Sequence, residues 1–239
     1  LRRFPATPST NRALLLDRLE VVDGGADGHD SMRIDRVVAV VVVALDLVDV
    51  EDSQRLRSDP RYQSAYVYGN VLIEPDGTDN NQIVHFGGDN GKLDWYRPGI
   101  LHFFNNTVVS RRKSTTTLFK LSSGRERVDC RNNLIYVTGP GRNLSILAKD
   151  GTVFLNKNWF KQGWVMRRGE RPAGDSKSNL AGSGPGFVDL SANDFRLRAG
   201  ASAVRAGSVL DPRRFAEHSL GAVYGPHQSS RARKMTADD

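Results

Sequence analysis

The sequence predicts an all-β fold built as a solenoid, in which similar coils of the chain stack on one another. The main observation is a short phrase that occurs four times: an apolar run, an asparagine and a second apolar run. The asparagines are Asn70, Asn106, Asn133 and Asn158, separated by 36, 27 and 25 residues. A recurring interval of roughly 20 to 45 residues is typical of solenoid repeats.

The residues before each asparagine alternate between an apolar column and a mixed column. The apolar positions, three and five residues earlier, are Val67, Phe103, Cys130, Leu155, Ala65, Leu101, Val128 and Val153. The mixed column between them holds Tyr66, His102, Asp129 and Phe154. A period of two predicts a strand with its apolar column in the core. His102 and Asp129 would then lie side by side on consecutive coils, which favours a structural pair over an oriented base.

The repeated asparagine predicts a sharp turn at the end of this strand. Asparagine tolerates the left-handed backbone conformation that β-branched residues resist, so we assign that conformation to the anchoring asparagine itself. Stacked coils would also place the side-chain amides one above another, where they can hydrogen-bond as a ladder. We therefore expect substitution of Asn133 by leucine to destabilise the fold.

A second strand is predicted at a fixed distance after the asparagine. Ile83, Phe119 and Ile146 each stand thirteen residues after an anchor, inside an apolar run. We expect these three side chains to occupy one inward column. Arg171 falls at the same offset after the fourth anchor, in a polar, glycine-rich stretch, so no such strand is predicted there.

These phrases resemble the right-handed parallel β-helix superfamily of pectate lyases and related polysaccharide-degrading enzymes. The resemblance covers residues 60–207, including a closing phrase that begins at Gly186-Phe187-Val188-Asp189. It implies a right-handed parallel β-helix of about three to four coils with irregular ends. The strands before the asparagines would form the second sheet and those after them the third. The strands around Ile83, Phe119 and Ile146 would form the first.

Composition divides the chain into three parts. Residues 1–58 contain no lysine and no copy of the phrase, so we interpret them as frame-shifted or otherwise non-native sequence, or as a disordered cap. Residues 59–207 are the predicted β-helix, and residues 208–239 a basic, poorly ordered tail. Cys130 is the single cysteine and stands in the inward column, which predicts a buried structural thiol. The resemblance implies a secreted or periplasmic protein, and we expect a monomer.

The charge of the chain favours an acidic partner. The net charge is +7 at pH 7, and the isoelectric point is near 9.7. No nucleic-acid-binding motif accompanies this charge, and the valine-rich residues 37–50 are too short and too charged to span a membrane. Acidic polysaccharide is therefore the expected partner. No metal site or cofactor is assigned, although Glu74, Asp76 and Asp79 offer oxygen ligands for Ca²⁺ in what is otherwise an ordinary solvated turn.

The resemblance places a substrate groove along the first sheet. Lys120 would point outward there if Phe119 points inward, and Lys120 is the candidate base for β-elimination of a uronate, with Arg112 as the second catalytic residue. The candidate substrate-binding residues are Gln82, Trp95, Tyr96, Arg111, Lys113 and Ser145. Trp95 and Tyr96 would either lie against sugar rings or cover the flank of the coil.

Two classes of function follow from these residues. The first is a carbohydrate-active enzyme that acts on an acidic polysaccharide, in the manner of a lyase. The alternative is a non-catalytic β-helix that binds polysaccharide or serves as a surface module, or an inactive fragment. An enzyme requires basic and carboxylate groups that converge on one strip, whereas a binding module requires only dispersed charge or an aromatic platform.

Overall fold

The computed structural model describes residues 32–33, 40–41, 45–48, 63–173, 178–204, 206–211, 222–225 and 229–232. This part of the chain is all-β, as predicted, with two short 3-10 turns and no α-helix. No helix within it is long and apolar enough to cross a membrane. The strands are β1 (Met32–Arg33), β2 (Val40–Val41), β3 (Leu45–Val48), β4 (Ser64–Tyr68), β5 (Val71–Glu74), β6 (Gln82–Gly87), β7 (Gly99–Phe104), β8 (Thr107–Ser110), β9 (Thr116–Leu121), β10 (Glu126–Arg131), β11 (Leu134–Val137), β12 (Leu144–Leu147), β13 (Thr152–Asn156), β14 (Trp159–Lys161), β15 (Leu180–Gly182), β16 (Phe187–Asp189), β17 (Asp194–Leu197), β18 (Ala222–Gly225) and β19 (Ser229–Ala232).

The main strands form three parallel sheets, which we call A, B and C. Their strand orders are β1-β4-β7-β10-β13 in sheet A, β15-β14-β11-β8-β5-β2 in sheet B and β12-β9-β6-β3 in sheet C. From β4 to β12 the chain enters sheets A, B and C in turn and makes this pass three times in all. Each strand from β4 to β11 therefore pairs with the strand three positions later in the chain. The strands predicted on either side of each asparagine fall in sheets A and B.

The anchoring asparagines form the predicted hydrogen-bonded ladder. The Nδ2 atom of Asn70 donates to Oδ1 of Asn106 at 2.9 Å, and Asn106 donates in the same way to Asn133 at 3.1 Å. The Nδ2 atom of Asn133 continues the ladder to Oδ1 of Asn158 at 2.9 Å. Asn179 is a fifth member that the asparagine phrase did not predict, and its Oδ1 accepts from Asn158 Nδ2 at 3.0 Å. All five side chains are buried, so the ladder satisfies amides that would otherwise lack partners.

The left-handed residue stands one position earlier than predicted. Positive φ angles occur at Gly69 (69°), Asn105 (54°), Asn132 (56°) and Lys157 (57°), and at no anchoring asparagine. The assignment of this conformation to the anchors was therefore wrong. The anchor already belongs to the sheet pairing, because the carbonyl of Asn106 accepts from the backbone N–H of Leu134 at 2.9 Å. The residue before it carries the change of chain direction instead.

The apolar column of sheet A forms the centre of the core. Phe103, Val128 and Cys130 are fully buried, as predicted, whereas Leu155 on the last strand of the sheet is half-buried. The ring of Phe103 meets the edge of the Phe119 ring from sheet C, with 5.3 Å between centroids. The inward face of sheet A therefore packs against the face of sheet C that carries Phe119.

The thiol of Cys130 lies beside the asparagine ladder. Its Sγ accepts a hydrogen bond from Asn133 Nδ2 at 3.3 Å and lies 3.6 Å from Asn158 Oδ1. Burial raises the pKa of the thiol above its ordinary value. The prediction of a buried structural cysteine is confirmed.

Sheet C is displaced by one residue from the predicted register. Phe119 lies opposite Val84 on β6 and Leu147 on β12, rather than opposite Ile83 and Ile146. The expected single column was therefore wrong. Because neighbouring residues of a strand point to opposite faces, Ile83 and Ile146 face away from the side that carries Phe119. Both faces are apolar here, so alternation could not fix the register.

A shortened fourth pass also reaches sheet C. Val165 forms a parallel bridge to Ser145, and its carbonyl accepts from the backbone N–H of Ile146 at 3.0 Å. This contact lies six residues before Arg171, the position from which the sequence predicted no strand. The offset of thirteen residues did not predict this contact because the connection between sheets B and C is short in this pass.

The closing phrase lies on the outside of sheet B. β16 and β17 form an antiparallel hairpin, and Phe187 of β16 packs edge-on against Tyr136 of β11, with 6.1 Å between ring centroids. Further along, Ser202 accepts a hydrogen bond from Trp159 Nε1 at 3.0 Å. The hairpin and the residues after it therefore cover strands of several successive passes.

The flanking segments are described only in part. β1, β2 and β3 pair in parallel with β4, β5 and β6. The other residues of 1–58, on which the frame-shift and disorder predictions depend, lie outside the described residues. Of residues 208–239, the structure describes Ser208, whose backbone N–H donates to Asn132 Oδ1 at 3.0 Å, together with its neighbours to residue 211 and the antiparallel pair β18–β19. The rest of the predicted tail also lies outside them.

Candidate functional site

The predicted site residues are distributed over the two ends of sheet C. Its strands are parallel, so all connections from sheet B arrive at one end and all connections to sheet A leave from the other. The amino end comprises the connections at residues 75–81, 111–115 and 138–143. The carboxyl end comprises those at residues 88–98, 122–125 and 148–151, with the strand residues next to them. Strands of four to six residues separate the two ends by roughly 13–20 Å.

A buried polar cluster occupies the amino end. The Glu74 carboxylate is fully buried, and its Oε2 accepts from Ser110 Oγ at 2.5 Å and from Thr116 Oγ1 at 2.9 Å. Its Oε1 receives no hydrogen bond from any described residue and lies 3.7 Å from Nε of Arg112. Burial raises the pKa of Glu74 above its ordinary value of 4.5, against the two hydroxyl groups and the Arg112 charge, which lower it.

Arg112 is held by this cluster and by the turn that precedes β6. Its guanidinium donates to the carbonyl and hydroxyl oxygens of Thr78, to the Asn80 carbonyl at 3.1 Å and to the Thr115 carbonyl at 3.2 Å. Only 10 % of the side chain is exposed. The guanidinium is therefore committed to contacts within the chain, which is a structural arrangement for a buried cation.

The neighbouring basic residues also have partners within the chain. The Arg111 guanidinium donates to the Leu190 carbonyl at 2.8 Å and to Asn193 Oδ1 at 2.5 Å, and so holds the turn of the β16–β17 hairpin. Lys113 is 89 % exposed, and its Nζ pairs with Asp76 at 3.0 Å. The hydrogen bond from the backbone N–H of Lys113, followed by its side chain, lowers the pKa of Asp76. These contacts use donors of Arg111 within the chain and pair the charge of Lys113 with that of Asp76.

The carboxylates considered for Ca²⁺ do not assemble. Among the described residues, no group of three or more His, Cys, Asp or Glu side chains is placed to hold a metal ion. Glu74 is buried with two hydroxyl groups and Arg112, while Asp76 is paired with Lys113 at the surface.

Gln82 and Ser145 do not share a column with Lys120. Both lie opposite Thr117 on β9, and Ser145 Oγ is 3.0 Å from Thr117 Oγ1. Thr117 and Phe119 are two residues apart and share the face that meets sheet A, whereas Lys120 points to the other face. Lys120 is also four residues beyond Thr116 of the Glu74 cluster, or roughly 13 Å along the strand. The structure therefore separates Lys120 from Arg112, Gln82 and Ser145.

Lys120 belongs instead to a cationic surface at the carboxyl end of sheet C. It is half-buried and lies opposite His85 on β6, whose Nε2 is 3.0 Å from Ser122 Oγ. Four exposed cations share this end: Lys92, Arg125, Arg127 and Lys149. The exposed or half-buried carboxylates there are Asp89, Asp94 and Asp150. In the described part of the chain, none of the five cations forms an ion pair. We call these five residues the carboxyl-end cations.

Of the three connections that define this end, residues 88–98 form the longest, and it presents an aromatic side chain to solvent. We call it the platform loop. Tyr96 is buried, and its hydroxyl accepts from the backbone N–H of Gly91 at 3.0 Å, so Tyr96 covers the flank of the coil. The Trp95 side chain is 36 % exposed, and Lys92 Nζ lies 4.0 Å from the centroid of its ring system. The two aromatic residues named as candidates thus have different environments.

The outer column of sheet A contains the predicted histidine and aspartate pair. Nδ1 of His102 lies 3.6 Å from Oδ2 of Asp129, and both side chains are buried. The Tyr66 ring stacks on the His102 ring with 4.6 Å between centroids, and Arg131 donates to both oxygens of Asp129 at 2.6 Å. The predicted contact is confirmed, and its stacked and hydrogen-bonded setting fits a structural pair.

Sequence reasoning missed most of the carboxyl-end cations. Lys92, Arg125 and Lys149 follow their preceding anchoring asparagines by 22, 19 and 16 residues, so no fixed spacing relates them. The common feature is that each follows a strand of sheet C and precedes a strand of sheet A. Residues in that position could have been found by aligning the ends of the predicted strands rather than the asparagines.

Comparisons of the chain with protein-family models, with curated proteins and with solved structures found no match.

Proposed function

We propose that this chain is a right-handed parallel β-helix that binds an acidic polysaccharide at the carboxyl end of sheet C. The rotation of successive strands through sheets A, B and C supports the β-helix. The asparagine ladder at the turn from sheet A to sheet B supports its likeness to the pectate-lyase-like superfamily. In such a fold the carboxyl-end cations form a row that runs along the stack.

The observation that carries the proposed ligand is the absence of ion-pair partners for the carboxyl-end cations within the described residues. A polyanion of repeating carboxylates would interact with several of these cations at once, so that weak contacts add. The connections of successive passes are separated by about 4.8 Å, the spacing of neighbouring strands. This spacing suits a linear polymer that lies along the stack.

Binding is a better match to this geometry than catalysis. Lys120 and Arg112 lie at opposite ends of sheet C, and Arg112 is occupied by the Glu74 cluster. The charge at the carboxyl end is dispersed over three connections, which is the arrangement expected of a binding surface. Efficient acid or base catalysis instead requires groups that meet at one reacting atom.

The test is affinity electrophoresis of the protein in gels that contain polygalacturonate, alginate or the neutral polymer dextran. We expect retardation by the two acidic polymers that weakens as salt is added. The triple variant Lys120→Ala, Arg125→Ala, Lys149→Ala should lose most of the retardation. Lys113→Ala removes an exposed lysine from the amino end and is the matched control, for which retardation should persist. Equal retardation by dextran, or equal loss in the control, would overturn the proposal.

A lyase remains the second candidate because Lys120 and His85 are level on adjacent strands of sheet C. An ultraviolet assay for unsaturated product, with and without Ca²⁺, tests this candidate on the polymer that binds. Loss of turnover with retained binding in Lys120→Ala would support a base at this position. Arg112→Ala should change stability rather than turnover. Absence of product from every polymer that binds would leave the binding function alone.

A further inference from the structure

The platform loop is held in one conformation by its own hydrogen bonds. The backbone N–H of Arg97 donates to the Gly87 carbonyl at 3.2 Å and closes the base of the loop. The Tyr96 hydroxyl accepts from Gly91, and a 3-10 turn over Leu93–Trp95 shapes the tip. Compact loops whose ends meet and whose side chains pack inward are common sites of recognition. Such a loop presents Trp95 with little loss of conformational entropy on binding.

Lys92 gives this surface tryptophan a positively charged neighbour. Its ammonium group lies 4.0 Å from the Trp95 ring centroid, within the distance of a cation–π contact. The contact places a positive charge beside the flat apolar surface of the indole. A pyranose ring has apolar faces formed by its C–H groups, whereas the carboxylate of a uronate projects from its rim. The two protein groups thus match the two chemical features of a uronate.

We infer that the platform loop forms a subsite in which one uronate ring stacks on Trp95 while its carboxylate pairs with Lys92. This inference rests on the proposed function and adds a specific recognition element to it. A polymer that continues along the stack would next meet Lys120 and Arg125, and then Lys149, each on a later pass of the chain. In this subsite Trp95 recognises the apolar face of the sugar ring, and the cations recognise the carboxylates.

The tryptophan content of the chain allows a direct measurement at this subsite. The sequence contains three tryptophans, of which Trp159 and Trp164 are buried. A change in tryptophan emission on addition of polygalacturonate would therefore report on Trp95. We expect such a change in the wild type, and its loss in Trp95→Phe. Because phenylalanine keeps an aromatic face, that variant should retain most of its affinity.

Two further variants separate stacking from charge recognition. Trp95→Ala should weaken binding of polygalacturonate by about tenfold, in keeping with the loss of an aromatic contact. Lys92→Gln should reduce the preference for polygalacturonate over its neutral methyl ester, while stacking on the ester remains. Thermal unfolding of each variant checks that the fold is intact, and Trp95→Phe provides a reading if Trp95→Ala unfolds.

The outcomes of these experiments distinguish a failure of the subsite from a failure of the proposed function on which it rests. If the wild type binds polygalacturonate but Trp95→Ala binds equally well and emission does not change, the subsite is wrong and the proposed function stands. If the wild type binds no acidic polymer, the proposed function fails and the subsite fails with it. If Lys92→Gln keeps the full preference for the charged polymer, Lys92 does not recognise the carboxylate.

Discussion

The two ends of sheet C use similar side chains in opposite ways. At the amino end, Arg111, Arg112 and Lys113 hold a hairpin turn, a buried carboxylate and a surface aspartate. At the carboxyl end, four of the five cations are exposed and Lys120 is half-buried. None of the five has an ion-pair partner among the described residues. The run of three adjacent basic residues is the more conspicuous in the sequence, yet all three side chains have partners within the chain.

This difference shows that the number of basic residues in a run does not indicate how many of them remain available to a ligand. A guanidinium whose donors are used within the fold has little capacity left for a ligand. An isolated lysine in a short connection keeps all of its donors for an external partner. The comparison predicts that substitutions at the amino end change stability, and that substitutions at the carboxyl end change binding.

The largest expected effect is at Arg112. Arg112→Ala would leave the Glu74 carboxylate buried without its cation, and we expect the free energy of unfolding to fall by about 3–5 kcal/mol. Urea denaturation at pH 7 measures this loss. Lys113→Ala is the adjacent control, since a solvent-exposed ion pair contributes little to stability. Equal small losses in both variants would show that the Glu74 cluster is not a stabilising element.

The asparagine ladder allows the stability loss at the charged amino end to be compared with that of an uncharged hydrogen-bonded network. Asn133→Leu removes the donor to the Phe103 carbonyl and the acceptor for the backbone N–H of Asn106. These two buried backbone groups would lose partners and two ladder bonds would be lost, so we expect a loss of about 3 kcal/mol. Asn132→Gly loses exposed hydrogen bonds to Ser208 but keeps the left-handed conformation, which glycine adopts freely, so this variant should lose less stability than Asn133→Leu. An unchanged melting temperature in Asn133→Leu would refute the role of the ladder.

The buried carboxylate should also give the amino end a distinctive dependence on pH. The pKa of Glu74 is raised in the folded state, so the folded protein holds the proton more tightly than the unfolded chain. Its contribution to stability is therefore fully present below pH 4.5 and is lost as the pH rises through the raised pKa. We expect the stability of the wild type, measured relative to Glu74→Gln, to fall over this interval. Parallel pH profiles for the two proteins would contradict the prediction.

The smallest effect on stability is expected at the carboxyl end. Lys120→Ala, Arg125→Ala and Lys149→Ala should each change the free energy of unfolding by no more than about 0.5 kcal/mol, because none of these cations has an ion-pair partner within the described chain. The same urea titrations measure this. A loss comparable to that of Arg112→Ala would mean that these residues are structural, and it would remove the contrast between the two ends.

The asparagine phrase predicted the strands of sheets A and B because two constraints coincide there. The inward column alternates strictly with the outer one, and the ladder fixes one position in every pass. Asn179 was missed because no apolar run like those before the other anchors precedes it. The left-handed position was missed because glycine, asparagine and lysine all occupy it, so no single residue type marks it.

Sheet C could be located from the sequence, but its register could not. Ile83-Val84, Leu118-Phe119 and Ile146-Leu147 are adjacent apolar pairs whose members are all buried. A strand that is apolar on both faces has no alternation to identify the inward residue. The error of one residue placed Lys120, Gln82 and Ser145 on one face, and the predicted site followed from it. Partners such as Glu74 for Arg112 were invisible because thirty-eight residues separate them in the chain.

The position of Cys130 allows local opening of the asparagine ladder to be measured from the rate of thiol labelling. The chain has one thiol, fully buried between the core and the asparagine ladder, and burial suppresses its ionised form. Only the thiolate reacts readily with disulfide reagents, so the native state should be labelled only when the ladder opens. The labelling rate under native conditions then counts opening events at one known position, without an introduced probe. A variant that weakens the ladder, such as Asn133→Leu, should increase the labelling rate of Cys130.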